Sequence, residues 1–82
     1  MPSNREIFFE AVEAERKRQD ERWGGRAHDI EHWGNDWISF ITKQVGAACG
    51  YSLGNSEFET RMIRVAALAL AAYEAGRPRE DV

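Results

Sequence analysis

The sequence predicts an all-α fold: a three-helix subunit, with helices over about 5–22, 36–52 and 57–75, assembling into a helical-bundle homo-oligomer. Three observations lead there. Apolar residues recur at intervals of three and four along each segment. Residues that start and stop helices stand at the ends of those segments. The third segment is apolar on two faces, which is more than a single small subunit can cover.

The first helix opens on Ser3 and Glu6, a capping-box spacing, and continues through Ile7, Phe8, Ala11 and Val12 until Gly24 and Gly25 stop it. Its inner line runs Phe8, Val12, Glu15, Gln19, Trp23, so it begins apolar, turns polar and ends on an indole. Such a line either walls a cavity, where buried polar groups find partners, or belongs to a helix that runs past the end of the bundle. From Glu13 to Arg22 charges alternate, and pairs such as Glu13–Lys17 predict a solvated face worth only a few tenths of a kcal/mol per pair.

Residues 24–34 form a polar loop carrying His28, Asp29, Glu31, His32 and Trp33. Asn35 or Asp36 is the expected cap of the second helix, whose stripe is Trp37, Ile38, Phe40, Ile41, Val45 and Ala48, with Gly50, Gly54 and Asn55 ending it. Cys49, among Ala47, Ala48 and Gly50, reads as a small core residue rather than a reactive thiol. Ser56 and Glu59 repeat the capping-box spacing before the third helix, and Gly76 and Pro78 close it ahead of a short tail, 77–82. In that helix Met62, Val65, Ala66, Ala69, Ala72 and Tyr73 make one stripe and Ile63, Ala67 and Leu70 another. A second copy is the expected cover for one of them, giving a dimer or a dimer of dimers.

Residues 1–82 are expected to form a single domain with a thin core, because Ile, Leu, Val and Phe together make up just under a fifth of the 82 residues. Eleven alanines and three tryptophans add packing material, and a net charge of −3 is too small to force disorder. The acidic balance argues against a nucleic-acid module. No apolar run approaches the ~20 residues of a membrane span. The first residues lack the apolar stretch of a secretory signal, and one cysteine offers no internal disulfide, so the expected location is the cytoplasm.

His28 and His32 have the four-residue spacing of a zinc-binding helix turn, but Asp29 stands where the metalloprotease pattern needs Glu. Asp29, Glu31 and Asp36 would complete such a site. The favoured reading is a hydrogen-bonded loop, with His28 or Asp29 tied to helix ends, and no bound metal. Trp23 and Trp37 are expected in the core, and Trp33 is the indole most available to a ligand. The candidate polar cleft therefore comprises Glu15, Gln19, Trp23, His28, Asp29, His32 and Asp36. No Gly-rich phosphate loop, Ser-His-Asp order or nucleophile elbow is present.

Residues 15–24, Glu-Arg-Lys-Arg-Gln-Asp-Glu-Arg-Trp-Gly, resemble the opening of small phage and bacterial proteins related to the MazG-like all-α nucleotide pyrophosphohydrolases. His28-Asp29, His32 and Asp36-Trp37 resemble the histidine-bearing loop of a phage-borne branch. Residues 41–46 are similar to its second helix and 65–72 to its Ala/Val-rich third. The resemblance spans most of 13–77 and implies a helical bundle of subunits acting on nucleoside triphosphates. Those enzymes hold Mg²⁺ through Glu-Glu-x-x-Glu and Glu-x-x-Asp motifs, because hard cations take carboxylate oxygens. Here the first motif aligns with 43–47, Lys-Gln-Val-Gly-Ala, and the second with 61–64, Arg-Met-Ile-Arg. The carboxylates are absent and Lys43, Arg61 and Arg64 stand in their region, either as an anion-binding set or as solvated, paired groups such as Glu57–Arg61.

The expected function is accordingly a non-catalytic binding or interaction protein of MazG-like type, of phage or mobile-element origin, with a nucleotide or another anion as ligand and no cofactor. Two alternatives stand beside it. One is a Mg²⁺- or other divalent-metal-dependent nucleotide pyrophosphohydrolase with its site relocated to the His28/Asp29/His32/Asp36 loop and Glu15. The other is a purely structural oligomer.

Overall fold

In the computed structural model, residues 1–25, 29 and 31–77 are described, and among them there are three helices and no strand. We label them α1 (Asn4–Trp23), α2 (Gly34–Ala48) and α3 (Ser56–Ala75). His28 and the tail beyond Arg77 lie outside the described residues.

α1 starts as its capping box predicts. The Glu6 N–H donates to Ser3 Oγ at 3.1 Å and the Ser3 N–H to Glu6 Oε1 at 3.4 Å. It stops at Gly24, whose φ of 96° is left-handed and whose N–H returns to the Asp20 carbonyl.

Both remaining N-caps differ from expectation. The cap of α2 is Trp33 rather than Asn35 or Asp36, so the helix begins two residues earlier than 36. Asp36 sits three residues inside, where its Oδ2 accepts the Trp33 N–H at 2.9 Å, and this draws Gly34 and Asn35 into the first turn. For α3, Asn55 displaces Ser56 as cap because its Oδ1 accepts from both Glu57 and Phe58, at 2.9 and 3.3 Å.

The second helix also ends at Ala48 rather than 52. Cys49 is extended and Gly50 turns left-handed at φ 92°, which breaks the ladder before Tyr51. Cys49 is exposed at this helix end, correcting its placement in the core.

α3 is the central element. It packs against both α1 and α2, which hardly touch each other. Ala67 and Ala71 are buried at its middle, and their small side chains let the flanking helices come close. Val12 from α1 and Trp37 and Ala48 from α2 complete the buried apolar set among the described residues. No large side chain there is fully buried, so the core is as thin as the composition implies. Because α1 and α2 lean on α3 without closing on each other, a cleft remains between them.

Candidate functional site

That cleft has a volume of about 520 Å³. Arg64, Leu68 and Ala71 of α3 form its floor, at the 3-4 spacing that puts them on one face of the helix. α1 supplies Glu15, Arg18, Gln19, Arg22 and Trp23, and α2 supplies Trp37, Phe40, Lys43 and Gln44. Asp29 and His32, from the segment between them, line the remaining side.

The polar half of α1's inner line is thus a cavity wall. Val12 is buried against the core, and from Glu15 onward the same line faces the cleft. Glu15 accepts a bidentate bond from Arg18, with Nε at 3.0 Å and Nη2 at 2.5 Å, and Gln19 Nε2 approaches it at 3.4 Å. The Arg18 hydrogen bonds hold its carboxyl below the ordinary glutamate range, and the positive charges of Arg18 and Arg64 add to the effect against desolvation. Arg18 is in turn shifted up by the same bond.

Asp29 is 8% exposed and lies 3.5 Å from Arg16, which also reaches Asp20 at 3.2 Å and Glu74 at 3.6 Å. Arg16 therefore joins α1, the loop and α3. The charged run 13–22 is not uniformly a wet face, since the Arg16 side chain is only 13% exposed. Its position four residues after buried Val12 puts it on the packed side of the helix, and that spacing was the available signal.

His32 stacks edge-on against Phe40 and Trp37, with ring centroids 5.2 and 5.9 Å away, and its Nδ1 is 3.5 Å from Asp36. Asp36 stands behind His32 rather than among the lining residues. Trp37 is buried as expected, whereas Trp23 is 51% exposed at the cleft with the Arg22 guanidinium 4.9 Å over its ring. It is not a core residue, because helix α1 ends there beyond the reach of α3's apolar middle. Trp33 is 81% exposed and lies outside the lining set.

Of the three cations singled out from sequence, Lys43 and Arg64 line the cleft. Arg61 does not. Its Nε donates to Glu57 at 2.8 Å and its Nη1 to Gln44 Oε1 at 2.9 Å, so it positions a lining amide from behind. Arg64 Nε is shielded from solvent and has no hydrogen-bond partner among the described residues. Arg18, Arg22, Phe40 and Gln44 are lining residues that sequence reasoning missed. Arg18 and Arg22 follow Glu15 at intervals of three and four, so they share its face.

No protein-family model, curated protein or solved structure matches the chain.

Among the described residues the cleft therefore gathers Arg18, Arg22, Lys43 and Arg64 against the carboxylates of Glu15 and Asp29, in a chain whose net charge is −3. Local charge is opposite in sign to the whole. The donor set around Lys43, Gln44, Arg61 and Arg64 does not fit Mg²⁺, because it offers three cations and an amide oxygen that already accepts from Arg61. Among the described residues no group of three or more His, Cys, Asp and Glu side chains is placed to hold a metal ion. None of the helices there is long and apolar enough to cross a membrane.

Proposed function

We propose that this chain is a non-catalytic binding protein of MazG-like type, of phage or mobile-element origin, that works as a homo-oligomer in the cytoplasm. Its ligand is an anion carrying an aromatic ring, and a nucleotide meets both requirements. The observation that carries the reading is the basic cleft with aromatic walls. Among the described residues four cations there outnumber two carboxylates. Guanidinium groups suit phosphate because their planar fork presents parallel donors. The Trp23 ring is 51% exposed with the Arg22 guanidinium over it, and a base stacking there alongside that cation gains about 1–3 kcal/mol.

The resemblance supports the ligand class, and the replaced carboxylates support binding without hydrolysis. Glu15, the nearest candidate base, is engaged by Arg18 and held ionised.

Thermal melts with a panel of nucleoside triphosphates test the reading. A ligand at 100 times its Kd adds about 2.7 kcal/mol to stability, enough to move Tm by several degrees in a domain this small. Purified protein with Mg²⁺ or Mn²⁺ should release no pyrophosphate. Turnover that disappears in His28→Ala and His32→Ala would establish the relocated hydrolase site instead. A panel without any shift would leave the structural oligomer.

A further inference from the structure

Gln44 interrupts an apolar stripe. It stands seven residues after Trp37 and four before Ala48, both buried, so it lies on the side of α2 that packs on α3. An amide placed there needs partners for its oxygen and for its nitrogen, because packing takes water from both. The oxygen has one. Gln44 Oε1 accepts from Arg61 Nη1 at 2.9 Å, and Arg61 is held in turn by Glu57, whose Oε1 accepts from its Nε at 2.8 Å. Among the described residues, this is the one hydrogen bond that the Gln44 side chain makes.

The chemistry of Arg61 fixes which way round the amide sits. A guanidinium carries N–H donors and no acceptor, so the carbonyl oxygen of Gln44 has to face it. Turning the amide over would set its N–H groups against those of Arg61, donor against donor. Arg61 stands behind the lining residues and Gln44 among them. The oxygen and nitrogen diverge from one carbon, so with the oxygen turned back to Arg61 the NH2 is left for the cleft.

We infer that Gln44 reads the ligand as a hydrogen-bond donor: its NH2 donates to an acceptor oxygen of the ligand, and Arg61 and Glu57 are positioning residues that fix this polarity. A phosphate oxygen and a base carbonyl share the required chemistry. Lys43 and Arg64 line the same cleft, and Arg64 follows Arg61 by one turn on the same face of α3, so the amide shares its wall with two cations. Those cations attract any anion, whereas the amide adds direction. An N–H group of a ligand placed against this wall meets donors alone and is rejected.

The inference rests on the anion-binding reading and adds the residue that recognises the ligand's oxygen. The test is calorimetric titration of the chain with inorganic triphosphate and with guanosine triphosphate. Gln44→Met removes the donor without changing charge, and affinity for both probes should fall about tenfold or more. Gln44→Glu keeps an acceptor for Arg61 and exchanges the NH2 for a second oxygen, so Tm should hold while binding falls at least as far. A loss confined to guanosine triphosphate would assign the recognised oxygen to the base and still support the donor. Arg61→Met should weaken both probes by a smaller factor, and Arg61→Lys, which can only donate, should restore them. In the nitrogen-labelled parent chain, the Gln44 side-chain amide signal, identified by its absence from Gln44→Met, should move downfield as either probe is added. An amide signal that stays in place while the parent binds, or unchanged affinity in Gln44→Met, would overturn the inference and leave the anion-binding reading standing. No saturable binding of either probe by the parent chain would overturn both.

Discussion

Between Val12 and Glu15 the inner side of α1 changes from apolar packing to ion pairing, and the chemistry of the cleft begins at that step. Glu15 carries a pH signature. Arg18 lowers its folded pKa, so between the folded and unfolded values the unfolded chain binds more protons and stability rises with pH. The contribution is therefore complete above about pH 4.5, the ordinary value, and is lost as pH falls through the lowered one. Melts of the parent chain against Glu15→Gln should show a stability gap near neutrality that closes in acid, and a gap independent of pH would contradict the ion pair. The cleft line Glu15, Gln19, Trp23 was legible in the sequence because a helical stripe that turns polar has to face something. Trp23 was expected both in that line and in the core, and its 51% exposure at the cleft excludes the core reading, because periodicity gives the face of a helix but not where its neighbour ends. Arg61 was grouped with Lys43 and Arg64 by charge alone, and only the three-dimensional pairing with Gln44 separates it from them.

At the level of the helices, all three were legible, because capping chemistry and apolar spacing agree over each. Their ends were less so. Asn55 and Ser56 are both capping residues, and the choice between them depends on which side chain reaches two N–H groups at once. Asn55→Ala should cost α3 about 1 kcal/mol. Ser56→Ala should cost much less in the same urea titration, and equal losses would contradict the assignment. Gly24 closes α1 with φ 96°, a conformation that penalises a Cβ by about 1–2 kcal/mol. Gly24→Ala should lower stability by that amount and loosen the end of α1 that carries Trp23 into the cleft. The position of Asp36 three residues inside α2, rather than at its cap, could not be read from composition, since the same carboxylate serves either place.

Over the whole molecule, the helices enclose a cleft that is basic and aromatic within an acidic chain. The sequence showed two apolar stripes on the third helix, yet the cleft floor of Arg64, Leu68 and Ala71 belongs to neither, because which residues face the cleft depends on how α1 and α2 stand apart. In the proposed homo-oligomer folding and association are linked, and Tm should rise with protein concentration. A concentration-independent Tm would mark a monomer. For the proposed anion binding in the cleft, affinity for a phosphate-bearing ligand should fall as salt rises over the range where the Debye length shortens from ~10 Å.

In the proposed complex, cations of the cleft bind the ligand's phosphates in place of a metal ion. Calorimetric titration of the protein with a nucleoside triphosphate in a chelating buffer tests it most directly. The expected result is saturable binding without divalent metal, weakened at least tenfold in both Lys43→Ala and Arg64→Ala. Heat that appears only when Mg²⁺ is added, or binding indifferent to both substitutions, would contradict it.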